Sequence, residues 1–194
     1  GAAVDTIPLT VIQVPAALTL IVDSAVIAAG DTIEITTAAA DSNGYAIDGA
    51  VALLEVDGTV LQLTADPGAV TGRTADTASL IGMVGTVADT VLIEVVPGAP
   101  ALVDIAADSV RMNAIQDTVV LTAAVTDAFD NAVPGAVTWS VLDPMVGEAD
   151  ADGHLWSLAP GETGVVASSG AAVDTIPLTV IQVPAALTLI VDSA

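Results

Sequence analysis

Three groups of residues in this sequence have the types and spacing to do chemistry. His154 is the one histidine of the chain, and it lies two residues after Asp152 and three before Ser157. A base, a carboxylate and a hydroxyl nucleophile are therefore close along the chain. A hydrolytic triad needs the base held against the nucleophile by a third group in a cleft. Asp152-Gly153 reads instead as the turn of a hairpin. Alternation after that turn puts His154 and Trp156 on one face, so the group is expected to be a surface strand with no catalytic residue. The second group is Glu148, Asp150 and Asp152, which alternate along one strand edge. The third is Asp127, Asp130 and Asn131, an oxygen-rich cluster. Calcium takes roughly six to eight oxygen ligands, so such loops are candidate calcium sites, although no complete calcium-loop motif is present. Asp-Gly and Asp-Asn are also strong turn formers, which is the structural alternative for both clusters. No cofactor is required by anything in the sequence, and calcium is the one that its oxygen clusters would suit.

The elements that must position these residues follow from composition. Of 194 residues, 54% are hydrophobic but only 2% are aromatic. The core is therefore built from Val, Ile, Leu and Ala, of which the β-branched residues favour strands. There are 24 acidic residues against two cations, Arg73 and Arg111, and the net charge is −22. Nucleic acid is excluded as a partner, because phosphate binding needs clustered Lys and Arg. An anionic membrane surface is excluded for the same reason. The apolar stretch from Val11 to Ala29 is not read as a membrane span, since Gln13, Pro15 and Asp23 interrupt it and its period is that of a strand. Cysteine is absent, so no disulfide or thiolate site holds the fold. With no lysine, no Lys–Asn isopeptide bond can form either. No Asn-X-Ser/Thr sequon occurs. No secretory leader is recognised at Gly1.

Repetition is the strongest signal. Residues 1–25 recur without a difference as residues 170–194, which sets a period of 169 residues. A diverged repeat lies inside that period. Asp31-Thr32 recurs as Asp117-Thr118, Asp41 as Asp127, and Gly49-Ala50-Val51 as Gly135-Ala136-Val137; Asp89-Thr90 recurs as Asp174-Thr175. The expected fold is all-β, with tandem immunoglobulin-like β-sandwich domains. Residues 1–14 are expected to be the last strand of a preceding domain, 15–98 domain 1, 99–184 domain 2, and 185–194 the first strand of the next repeat. Short β-branched runs at 17–22, 31–37, 51–56, 91–96, 119–125, 137–141 and 178–183 predict strands. Ser42-Asn43-Gly44, Asp57-Gly58, Asp66-Pro67-Gly68, Asp130-Asn131 and Asp152-Gly153 predict the turns between them. Val137, Trp139 and Val141 share a strand face that is expected to be buried around Trp139.

The second half carries the order Asp117-Thr118-Val119-Val120-Leu121-Thr122, then Asn131-Ala132-Val133-Pro134, Val137-Thr138-Trp139-Ser140, Asp143-Pro144, Asp150-Ala151-Asp152-Gly153 and Ala159-Pro160-Gly161-Glu162-Thr163-Gly164. In this it resembles the bacterial immunoglobulin-like domains of invasins, intimins and very large surface adhesins, over most of residues 99–184. The first half departs from that pattern, because Val51-Ala52-Leu53-Leu54 replaces the tryptophan strand. The resemblance implies a spacer, stalk or filament module at a prokaryotic cell surface, with no enzymatic activity and no cofactor. Its expected partners are neighbouring copies of the same repeat in a linear filament, joined as one covalent array or by exchange of a terminal strand. The rival reading is a carbohydrate-binding module. Sugar sites present aromatic platforms, and only Tyr45, Phe129, Trp139 and Trp156 are available for one.

Overall fold

A computed structural model describes residues 4–49, 53–66, 68–135 and 137–184. Val51 and Ala52 of one expected strand, Pro67 of one expected turn, Ala136 and the expected next first strand at 185–194 lie outside these residues. Every regular element among the described residues is a strand. Accordingly, no helix among the described residues is long and apolar enough to cross a membrane. The chain divides after Val96 into two compact units.

The first unit holds β1 (Ala17–Val22), β2 (Val26–Ala28), β3 (Thr32–Ala40), β4 (Leu53–Val56), β5 (Leu61–Leu63), β6 (Ala69–Gly72), β7 (Thr77–Val84) and β8 (Val87–Val96). One sheet has the order β1-β3-β6-β5 and the other β2-β8-β7-β4. All pairings are antiparallel except β2 with β8, which run parallel. Period-2 alternation decides what faces the core. On β3, Ile33, Ile35 and Ala39 point inward while Thr32, Glu34 and Thr36 face solvent. Of these, Ile33 and Ile35 pack with Leu20, Leu61, Val70, Leu80, Ile93 and Val95. Burying each large aliphatic side chain is worth about 1.5–3 kcal/mol, which compensates for the scarcity of aromatics.

The second unit holds β9 (Leu102–Ile105), β10 (Val110–Met112), β11 (Thr118–Val120), β12 (Ala123–Thr126), β13 (Thr138–Val141), β14 (Gly147–Ala149), β15 (His154–Ser157), β16 (Gly161–Ser169) and β17 (Ala172–Val180). Its large sheet, β10-β17-β16-β13, repeats the order of β2-β8-β7-β4, again with a parallel first pair. The opposite layer is β11-β15-β14 together with β12-β9. The strand expected over 119–125 is broken here, whereas β3 runs unbroken in the first unit. At the break, Leu121 turns inward and its N–H donates to Gly153 O at 2.8 Å, while Thr122 O accepts from Ala106 N–H. The strand thus leaves β15 and joins β9. Trp139 is buried and packs with Leu121, Val146, Leu155 and Val165; Val137 and Val141 are half-buried against the same core. The first unit, despite lacking that tryptophan, keeps the same strand order.

Residues 4–14 belong to no strand and are exposed; from among them Gln13 Nε2 reaches Asp41 Oδ2 and Ala46 O at 3.4 Å.

Candidate functional site

The two acidic clusters fall in loops of one design, and the loop that follows Asp41 shares it. In each, an aspartate at position i accepts through Oδ1 from the backbone N–H groups of i+2 and i+4. Asp41 accepts from Asn43 and Tyr45 at 2.9 and 3.0 Å. Asp127 accepts from Phe129 and Asn131 at 2.8 and 3.0 Å. Asp150 accepts from Asp152 and His154, both at 2.9 Å. The backbone of each loop closes identically. The N–H of i donates to the carbonyl of i+4, and the N–H of i+3 donates to the carbonyl of i. Position i+3 lies in the left-handed region in all three, at Gly44, Asp130 and Gly153. Aspartate tolerates that conformation better than most side chains do, which is why Asp130 can stand where the other two loops use glycine.

Of the three loop aspartates, only Asp127 is fully buried. Its Oδ2 accepts from Gly98 N–H at 2.7 Å and from Asn131 Nδ2 at 2.9 Å. Four donors thus converge on one carboxylate. Burial by itself would push the carboxyl up, but the hydrogen bonds from Asn131, Gly98 and Phe129 outweigh it and hold the group below its ordinary value. The N–H of Tyr45 does the same for Asp41, with Asn43, Gln13 and Gly44 assisting, against a smaller opposing effect of desolvation. Asp57 is lowered by the Thr59 hydroxyl and N–H.

The structure therefore brings Asp127, Asp130 and Asn131 into one loop, where the polar groups of Asp127 and Asn131 face each other. A cation at Asp127 would have to displace N–H donors from both carboxylate oxygens. Asp130 is exposed, and so are Glu148 and Asp152. Among the described residues, no group of three or more His, Cys, Asp or Glu is placed to hold a metal ion.

His154 and Ser157 lie on opposite faces of β15. His154 is exposed, tilted against Trp156 with ring centroids 6.1 Å apart, and its Nδ1 is 4.0 Å from Asp150 Oδ2. Ser157 is completely buried. Its Oγ donates to Ala114 O at 2.7 Å and accepts from Asp117 N–H at 2.9 Å. The hydroxyl ties the turn before β11 to the end of β15, and no base reaches it. Of the four aromatics, Tyr45 is exposed, Trp156 and Phe129 are half-buried and Trp139 is buried.

Two further carboxylates escaped the sequence reading as functional groups. Asp89 on β8 and Asp174 on β17 point inward and are half-buried. Asp89 Oδ2 accepts from Leu20 N–H at 2.7 Å, and Asp174 Oδ2 accepts from Ile105 N–H at 2.9 Å. Each bond ties one sheet of its sandwich to the first strand of the other. The detectable signal was an acidic residue at an inward position of an apolar strand, repeated in both halves as Asp-Thr.

The fold and these clasps define a pair of immunoglobulin-like β-sandwiches in tandem. No family model matches the chain, and no curated protein matches it. Among solved structures, the Escherichia coli adhesin FdeC aligns with a TM-score of 0.54 at 18% identity, covering 84% of this chain and 63% of that one. Protocadherin gammaB7 EC3-6 aligns with a TM-score of 0.51 at 12% identity, covering 85% and 50%. Domains 1-6 of the surface layer protein SbsC align at 18% identity over 88% of this chain, with a TM-score of 0.44, and the chain spans only 28% of that structure. At these identities the likeness establishes the fold. The sandwich expected from the sequence is one that a bacterial adhesin also uses.

Proposed function

We propose that this chain is a structural module of a repetitive extracellular filament or adhesin stalk at a prokaryotic cell surface, where it provides reach, cohesion or attachment without catalysis. The observation that carries the reading is the unbroken recurrence of residues 1–25 at 170–194. That copied stretch runs through the sequence of β17 and on through the sequence of β1. A chain that follows the last strand of the second unit with the first strand of the first unit is written to repeat. Among the described residues, the aspartates with a lowered pKa, Asp41, Asp57 and Asp127, each accept hydrogen bonds within a turn, which gives them a structural task. A charge of −22 keeps many apolar-rich copies soluble and mutually repelling.

The test is the denatured mass of the native material. A mass many times 19.0 kDa is expected for a covalent array. A mass near 19.0 kDa would overturn the covalent array and leave strand exchange as the link between copies.

A further inference from the structure

The outer face of the large sheet of the second unit is nearly free of acid, in a chain whose net charge is −22. Apart from Glu162, the outward residues of β16 and β17 are uncharged, among them Val166 and Ser168 on one strand and Val173, Thr175 and Pro177 on the other. The other described carboxylates of the unit lie off this face. Asp104 and Glu148 are exposed on the opposite layer, Asp174 points inward, and the rest stand between strands. One row of the face is charged. Thr179 on β17 is the register partner of both Arg111 on β10 and Glu162 on β16, so the three point the same way and the charges flank the threonine. Neighbouring strands lie about 4.8 Å apart, which separates the two charged positions by roughly 10 Å. Both side chains are exposed, and among the described residues neither has an ion-pair partner. The same row of the first unit is Val26, Glu94 and Thr77, with a carboxylate in the middle and no cation.

Opposite charges on the two sides of a central strand make a surface complementary to itself. We propose that this face pairs with the same face of the second unit in another copy of the chain, about a two-fold axis that runs along β17. Rotation about that axis keeps each row level and exchanges the two sides of β17. Arg111 of one copy then stands over Glu162 of the other, and Glu162 over Arg111, while Val173, Thr175 and Pro177 meet their own counterparts. Stacked sheets stand about 10 Å apart, a gap that one Arg and one Glu side chain together span. The first unit lacks this fit, since each Glu94 would stand against the Glu94 of its counterpart. Three strands over seven residues give a footprint of about 14 by 23 Å, roughly 300 Å² per copy against the ~800 Å² of a stable interface. A single contact is therefore weak, and its effect comes from repetition. The inference rests on the reading of the chain as a repeating module, in which many such faces hold arrays side by side.

The experiment is sedimentation equilibrium of the full chain from about 10 μM to about 2 mM in roughly 0.15 M salt, where the screening length of about 8 Å mutes repulsion between distant acids but not a contact pair. Reversible association towards twice 19.0 kDa is expected, with half of the chain dimeric near about 1 mM. Arg111→Glu and Glu162→Arg should each weaken it by about tenfold or more, and the double reversal should restore it. The sign for Glu162→Arg is diagnostic. That change makes the chain less acidic, so a generic effect of net charge would strengthen association, whereas loss of the pair weakens it. Glu148→Arg, which changes the charge equally on the opposite layer, should not weaken it. Unchanged emission from Trp139 and Trp156, both in the second unit, shows that each variant is folded. A chain that stays monomeric throughout, a dimer indifferent to Arg111→Glu, or a double reversal that fails to associate would overturn the proposal. The denatured mass of the native material is read separately, so failure here leaves the repeating-module reading standing.

Discussion

Replacing Asp127 by Asn changes one atom of a buried carboxylate that four N–H groups address, and it isolates what that carboxylate does. The shape is retained, but one acceptor oxygen becomes a donor. Whichever way the new amide is turned, it faces two N–H groups, either Gly98 N–H with Asn131 Nδ2 or the backbone N–H groups of Phe129 and Asn131. Hydrogen bonds to charged groups contribute about 1.5–3 kcal/mol each. Reorientation of the Asn131 side chain recovers at most one of the two lost bonds, so the variant is expected to lose about 2–3 kcal/mol. For a unit of this size that lowers its melting temperature by roughly 10–20 °C. The assay is urea unfolding at pH 7 followed by tryptophan emission, which reports only the second unit because both tryptophans lie there. The pH dependence adds a second check. Asp127 is lowered in the fold from its ordinary 3.8. A depressed folded pKa contributes stability that is complete above 3.8 and is lost as pH falls from there through the folded value. The gap between wild type and Asp127→Asn should therefore close in acid. Equal urea midpoints at pH 7, or an equal loss in the same signal from Asp41→Asn in the first unit, would refute the reasoning.

The remaining expectations concern the other clasps. Ser157→Ala removes a buried hydroxyl and leaves Asp117 N–H and Ala114 O without it, so the second unit should lose about 1–3 kcal/mol in the same urea assay. Gly153→Ala should cost at least about 2 kcal/mol, since φ is +81° and a Cβ there would run into Leu121 O, whereas Asp130→Gly, at φ +64°, should change stability by less than about 0.5 kcal/mol. Adding millimolar calcium or a chelator should leave the melting curve in place, because the oxygens of Asp127 are already engaged by N–H donors; a calcium-dependent rise of several degrees would show that a cation site forms.

Much of the architecture was legible because short β-branched runs bounded by Asp, Asn and Gly carry local information. β1, β3, β4, β8 and β13 fall where such runs predict them, and the inward face of Trp139 follows from alternation alone. β7 and β16 were not legible. Thr77–Val84 and Gly161–Ser169 are rich in Thr, Ser, Gly and Ala, and they are strands because β8 and β17 pair along their whole length. The acidic clusters were visible as clusters, but spacing along the chain could not separate an aspartate that collects N–H donors from one that offers free oxygens. That distinction came from Gly98 and Asn131 meeting at Asp127.

Residues 1–14 and 170–183 mark the boundary between the two kinds of information. Their common sequence determined, by itself, which side chains share a face and how often the unit recurs. Only tertiary structure decided that one copy is a core strand flanked by β10 and β16 while residues 4–14 of the other belong to no strand and are exposed. A strand has no hydrogen bonds of its own to complete, so the same residues become structure only where a neighbour supplies the edge.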